Sequence, residues 1–256
     1  MAKLLESSRD GNVVLLRLNR PEARNALSPE LMEELASELE RLDPDPEVRC
    51  VVIAGSDKVF AAGADIKAMA ERSFAEALRH PAAGFWRRLA AIKTPMIAAV
   101  SGYALGGGCE LALACDMIVA AEDAKFGLPE VKRGLVAAGG GLLRLPQRVP
   151  FHLAMEWALT GELIPAARGH AVGLVNRLTP KGGALAEALT LARAIAANGP
   201  LAVAASKRII VEALDWPAAE RFDRQREINE PVRSSADARE GATAFKEKRT
   251  PRWQGR

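Results

Sequence analysis

Gly102-Tyr103-Ala104-Leu105-Gly106-Gly107-Gly108-Cys109-Glu110 separates an apolar run, Met96–Val100, from a small-residue run over 107–115. The first reads as a buried strand and the second as a helix, so the glycines form the turn between them. Backbone N–H groups near Gly107 and Gly108 then sit at a helix N-terminus, where orphan donors and the dipole favour negative charge. Glycine lets a ligand approach the main chain with no Cβ in the way. The same turn also serves a plainer purpose, close packing of helix on strand. Residues 116–121 (DMIVAA) return as a further strand.

The pattern repeats on either side. Val13–Leu18 (VVLLRL) reads as a buried strand ended by Asn19-Arg20-Pro21. Ser28 before Pro29 is an N-cap with proline at the first helical position, and Leu31, Leu35, Leu39 and Leu42 recur at helical spacing until Pro44 and Pro46. A strand over 48–54 (VRCVVIA) follows, and then a helix over 85–92 that ends before Thr94-Pro95. Strand–helix–strand in this order implies crossover units and an α/β fold. Beyond Gly139 helices take over, at 150–160, 165–172, 184–198, 200–214, 217–230 and 235–248, with one short strand candidate at 174–178. The expected organisation is an α/β core over 1–196 and a helical region over 197–256 that packs elsewhere than on its own core.

Composition narrows the function. With 49% hydrophobic and 26% charged residues in 256, the chain is globular and not disordered. Cys50, Cys109 and Cys115 are too few and too odd for a disulfide scaffold, and neither they nor His80, His152 and His170 fall at zinc spacings, so no metal is expected. A net charge of +3 argues against a dedicated nucleic-acid binder. The N-terminal MAKLLESSRDGNVV lacks a signal-like apolar run, and no apolar stretch approaches the roughly 20 residues of a spanning helix. The expected location is cytoplasmic.

Two carboxylates stand near the glycines. Glu110, among Cys109, Leu111, Ala112, Leu113 and Ala114, is either a first-turn dipole partner or a cleft group with a raised pKa. Glu130, after Gly127-Leu128-Pro129, reads by itself as a solvated loop residue. A second small-residue turn, Phe60-Ala61-Ala62-Gly63-Ala64-Asp65-Ile66-Lys67, follows the strand ending at Ala54, with Asp65 alternatively a helix-start residue. Two such turns at strand ends present two sets of N–H donors, the makings of an oxyanion hole. Walker, Gly-x-Gly-x-x-Gly, Gly-x-Ser-x-Gly and Ser-x-x-Lys patterns are absent. A hole beside two carboxylates points to acid–base chemistry on a polarised carbonyl.

At these residues the chain resembles the crotonase superfamily, and within it the enoyl-CoA hydratases. The matching segments are Asn19-Arg20-Pro21-Glu22-Ala23-Arg24-Asn25-Ala26-Leu27, residues 60–67 and 101–116, Phe126-Gly127-Leu128-Pro129-Glu130, Leu159-Thr160-Gly161, Gly173-Leu174-Val175-Asn176 and residues 240–249. The resemblance implies a crotonase-like spiral of strand–strand–helix units with C-terminal helices that build a homotrimer or a hexamer of two trimers. It implies reversible syn addition of water to a 2-trans-enoyl-CoA, giving a 3-hydroxyacyl-CoA, with CoA as part of the substrate and no metal or other cofactor. Carried over by position, Ala64 and Gly107 supply the oxyanion hole, and Glu110 and Glu130 are the catalytic pair. Arg24, Ala26, Ala62, Asp65 and Ile66 line the CoA site, while Phe245 and Lys248 reach a neighbouring subunit's CoA or serve only as helix packing and a solvated lysine.

One stretch departs from the common pattern. Where many members read Pro-Gly-Ala-Gly-Gly-Thr, this chain has Ala137-Ala138-Gly139-Gly140-Gly141-Leu142-Leu143-Arg144-Leu145-Pro146. That stretch and the final ten residues resemble the carnitinyl-CoA dehydratase branch. The alternatives are therefore an isomerase or such a dehydratase of the same superfamily, a silent acyl-CoA binder, and an RNA-binding relative. The last rests only on five basic residues against one acid from Lys246 onward.

Overall fold

A computed structural model describes residues 3–63 and 82–256. Its frame is a six-stranded sheet in the order β1 (Leu5–Asp10), β2 (Val13–Leu18), β3 (Cys50–Ala54), β5 (Met96–Val100), β7 (Met117–Ala121), β10 (Arg177–Thr179). The first pair is antiparallel and the rest are parallel, with Val13 opposite Cys50, Val51 opposite Met96 and Ile97 opposite Met117. A smaller sheet has the order β4 (Val59–Ala61), β6 (Tyr103–Leu105), β8 (Lys125–Gly127), β9 (Ile164–Pro165). From β3 to β8 each turn of the chain therefore lays one strand in the large sheet and one in the small sheet before a helix. This is the expected strand–strand–helix spiral.

The parallel strands are buried on both faces, which is why they read as unbroken apolar runs. On β3, Val51 and Ile53 face the main core with α1 (Pro29–Leu42), whereas Cys50, Val52 and Ala54 face the opposite layer. There α7 (Ala184–Ala196) lays Ala188, Ala192 and Ala196 against Val52, Ile97 and Val119. Ser28 caps α1 as expected, its Oγ accepting from Leu31 N–H at 3.3 Å, with Pro29 at the first helical position.

Several elements differ from expectation. β1 (LESSRD) went unread because only Leu5 is buried, and a polar edge strand has no apolar alternation. β6 falls inside the stretch read as one glycine turn. Gly102 and Gly106, at φ of 63° and 53°, switch the chain into and out of the small sheet, leaving room for three paired residues between them. The strand expected over 174–178 lies further on, at Arg177–Thr179. Leu174 and Val175 are buried in the main core, but the pairing begins when Asn176 N–H donates to Ile118 O and Ile118 N–H to Asn176 Oδ1, both at 2.8 Å.

The helix over 85–92 is α2 (Ala82–Ala91), and α3 is Gly107–Ala114. An unforeseen helix, α4 (Gly141–Arg148), begins on a glycine and contains Pro146, both of which argue against a helix locally. α5 (Phe151–Thr160), α6 (Ala166–Ala171), α8 (Pro200–Glu212), α9 (Arg221–Arg233) and α10 (Ala236–Glu247) follow the helical reading closely. Among the described residues no single helix is long and apolar enough to cross a membrane.

Candidate active site

The two glycine turns meet. Gly63, at φ 102°, is so close to the second turn that a Cβ there would stand 2.9 Å from Leu105 O and 3.6 Å from Gly107 N. The first turn is braced from behind by Arg24 and Asn25, both in the left-handed region at φ 53° and 55°. Asn25, 2% exposed, donates through Nδ2 to Phe60 O at 3.1 Å and accepts from Arg20 N–H at 2.9 Å. Ala62 N–H donates to Arg24 O at 3.1 Å, and Leu27 N–H to Gly63 O at 2.8 Å. The structure thus brings Arg24, Ala26 and Ala62 together at this turn. Ala64, Asp65 and Ile66 lie outside the described residues.

On the second turn, Gly108 lies so close to β4 that a Cβ would stand 2.1 Å from Ala61 O. The ladder of α3 starts with Glu110 N–H donating to Gly106 O at 2.9 Å. Gly107, Gly108 and Cys109 precede it, so their N–H groups have no acceptor within the helix. The donor that sequence placed at Gly107 therefore stands at a helix N-terminus, against the first turn.

Glu110 is 4% exposed. Its Oε1 accepts from Gly139 N–H at 2.6 Å and Gly141 N–H at 2.9 Å, at the start of α4. Burial raises its pKa, while those two bonds and the charge of Arg144 pull it back down. It lies in the first turn of α3 and also has the raised pKa of a buried carboxylate, so it carries features of both readings. Arg144 itself donates to Gly139 O at 3.1 Å, across the turn from the carboxylate.

Glu130 sits in a 3-10 turn, Pro129–Arg133, and is not a solvated loop residue. A Cβ at Gly106 would stand 2.9 Å from its Oε1, which places the carboxylate beside the helix start. Its Oε2 is buried without a hydrogen-bond partner. Burial raises its pKa, and the charge of Glu110 raises it further. The 3-10 turn carries it there, and nothing in a Leu-Pro-Glu tripeptide announces that burial.

Phe245 and Lys248 are not brought to these carboxylates. Phe245 is 88% exposed at the end of α10, and Lys248 forms the left-handed cap that closes the helix. Sequence reasoning gave no role to Gly139, Gly141, Asn25 or Trp86, although the run of three glycines at 139–141 was the available signal. Among the described residues no group of three or more His, Cys, Asp or Glu is gathered as for a metal ion.

The chain matches the model of one family, described as enoyl-CoA hydratase/isomerase, over residues 8–256. It is 42% identical to a probable enoyl-CoA hydratase of Mycobacterium tuberculosis over 248 residues, covering 97% of this chain and 96% of that one. It is likewise 42% identical to the 2,3-dehydroadipyl-CoA hydratase of Escherichia coli, covering 97% and 98%. Among solved structures, an enoyl-CoA hydratase from Mycobacterium tuberculosis superposes with a TM-score of 0.93 at 47% identity, covering 99% of both chains. One from Bacillus anthracis gives 0.95 at 35% identity, covering 99% and 100%.

Proposed function

The chain belongs to the enoyl-CoA hydratase/isomerase family, and from that premise we propose that it hydrates 2-trans-enoyl-CoA thioesters to 3-hydroxyacyl-CoA. The observation that carries the reading is a pair of carboxylates, Glu110 buried and Glu130 half-buried, served in opposite ways. Two N–H bonds on Glu110 Oε1 favour its ionised form, whereas the dry, unpartnered Oε2 of Glu130 favours the acid.

In this mechanism the thioester oxygen lies between the N–H groups of Gly107 and Ala64. Their donors stabilise the enolate-like charge that develops as water attacks, and this contributes most of the acceleration. Glu110 takes a proton from water while the water oxygen bonds to Cβ, and the π pair of the double bond moves onto the thioester. Glu130 then gives its proton to Cα on the same face. The two carboxylates titrate as one coupled pair, so the acid and base labels describe the reactive microstate. No step requires a metal or a redox group; CoA enters with the substrate, along Arg24, Ala26, Ala62, Asp65 and Ile66.

The helical region over 197–256 serves a homotrimer or a pair of trimers, in which Phe245 and Lys248 approach a neighbour's CoA. Their exposure at the end of α10 supports this. A reducing, cytoplasmic setting belongs to the same reading, supported by three buried free thiols at Cys50, Cys109 and Cys115.

Loss of enoyl-thioester absorbance on adding crotonyl-CoA, with water incorporated into the product, tests the reading. Double-bond migration without water incorporation would replace it with isomerisation. A kinetic panel of longer enoyl-CoAs and crotonobetainyl-CoA then separates the general hydratase from the dehydratase suggested by residues 137–146.

A further inference from the structure

We propose that Trp86 is a positioning residue for Glu110: its indole, seated on Gly139, clamps the turn over 139–141 onto the carboxylate and screens its second oxygen from bulk solvent on the α2 side, while leaving it open to the attacking water. A Cβ at Gly139 would stand 2.3 Å from Trp86 Cε2 and 2.6 Å from Glu110 Oε2. Both groups therefore press on one point, which brings the indole edge and the carboxylate oxygen within about 5 Å of each other. Only a glycine leaves that space, and here it replaces the alanine of the common Pro-Gly-Ala-Gly-Gly-Thr pattern.

The indole is itself held. Trp86 lies on α2, half-buried against the main core, with its ring 4.8 Å from that of Phe85 in an edge-to-face arrangement. It thus packs on the residue whose N–H bonds Glu110 Oε1 at 2.6 Å. An aromatic wall beside a carboxylate strips water from the charged form and holds the acceptor in place.

The other charged groups around Glu110 are accounted for. Arg144 on α4 lowers its pKa, and Glu130 on the 3-10 turn repels it, while Cys109 on its own helix is a buried thiol pushed up to about 12 and neutral at working pH. On α2, Arg87 is exposed and Arg88 is tied to Glu33 and Glu40 of α1. The indole is the apolar member of this set.

This inference rests on Glu110 being the base proposed above, so its test reads Glu110 in two ways. The protonated carboxyl band of Glu110, assigned by its loss in Glu110→Gln, is titrated by infrared difference spectroscopy, and kcat/KM for crotonyl-CoA is followed against pH. In Trp86→Leu water reaches the carboxylate, so the infrared midpoint and the acid limb both move down by about one pH unit. Turnover falls roughly tenfold with KM little changed, because a group that acts only in the transition state is misplaced. Trp86→Phe, which keeps an aromatic wall, recovers most of the loss. An infrared midpoint in Trp86→Leu equal to wild type overturns the proposal. A shifted midpoint in a protein that never hydrates crotonyl-CoA upholds it and overturns the hydratase reading instead. Should Trp86→Leu fail to fold, Gly139→Ala asks the same question. Its Cβ parts the indole from the carboxylate, which lets bulk water in as Trp86→Leu does and moves the midpoint down; an unmoved midpoint overturns the clamp.

Discussion

Glu110 has one oxygen held by two backbone N–H groups, whereas Glu130 has one buried oxygen with no partner. If both act in proton transfer, Glu110→Gln and Glu130→Gln each lower kcat by roughly 10²–10⁴-fold while KM changes little. The double variant loses far less than the product of the two, because the pair serves one transition state. Turnover near wild type in either single variant, on a good enoyl-CoA, would sink the two-carboxylate mechanism. The same residues predict a stability effect of opposite sign. A carboxyl whose pKa is raised by folding binds its proton more tightly in the native state. Wild type is therefore unhindered below the ordinary carboxylate range and loses stability as pH rises through the raised pKa of Glu130. Glu130→Gln escapes that loss, so its Tm advantage over wild type grows from acid to neutral pH and then levels off. Calorimetry across that range checks the sign; an advantage that shrinks as pH rises contradicts it.

At the scale of the element, the position of α3 depends on how closely it lies on β4. Gly108 meets Ala61 O, which is backbone and cannot swing aside as a side chain would. Gly108→Ala therefore costs about 1–3 kcal/mol by overpacking, and it moves the Gly107 N–H that starts the helix. The expected result is a lower Tm together with a lower kcat. Gly11→Ala is the control. Gly11, unlike the helical Gly108, is left-handed, at φ 58°, and has nothing within 4 Å of its missing Cβ. It loses only the backbone preference, about 1 kcal/mol, and activity is untouched. Equal loss of turnover in the two variants would show that helix placement does not control the donor.

Across the whole molecule, large apolar side chains remain uncovered in two regions. On α8, α9 and α10 and the loop after α8, Ile210, Leu214, Phe222 and Phe245 are between 61% and 88% exposed. On α4, α5 and the loop before α4, Val136, Leu143, Phe151 and Leu159 are between 63% and 74% exposed. Large apolar side chains left exposed in such numbers point to association. Light scattering at micromolar concentration should give the mass of three or six chains, and Phe222→Asp with Ile210→Asp should lower it. A monomeric wild-type mass would remove the trimer. The basic tail has a structural use as well, since Arg249 pairs with Glu240 and Glu247, which leaves less of its charge for a polyanion.

What the sequence determined by itself was whatever a local rule enforces. Val13–Leu18 had to be a doubly buried strand, Ser28-Pro29 had to start a helix, and the leucines of α1 had to share one face, because each depends on neighbours a few residues away. The glycine donor at Gly107 was legible on the same ground, as a turn feeding a helix. The family resemblance added a role for Glu130 that its own neighbours would not have given. Tertiary structure decided the rest. β1 and β6 exist because partners far along the chain supply their hydrogen bonds, and α4 forms despite Gly141 and Pro146. The burial of Glu130, the two N–H groups on Glu110 and the indole against Gly139 join segments from α2, α3, the 3-10 turn and α4. Such contacts join residues dozens of positions apart, and their energy exists only once the chain has closed those loops. No periodicity or propensity in one segment can encode it.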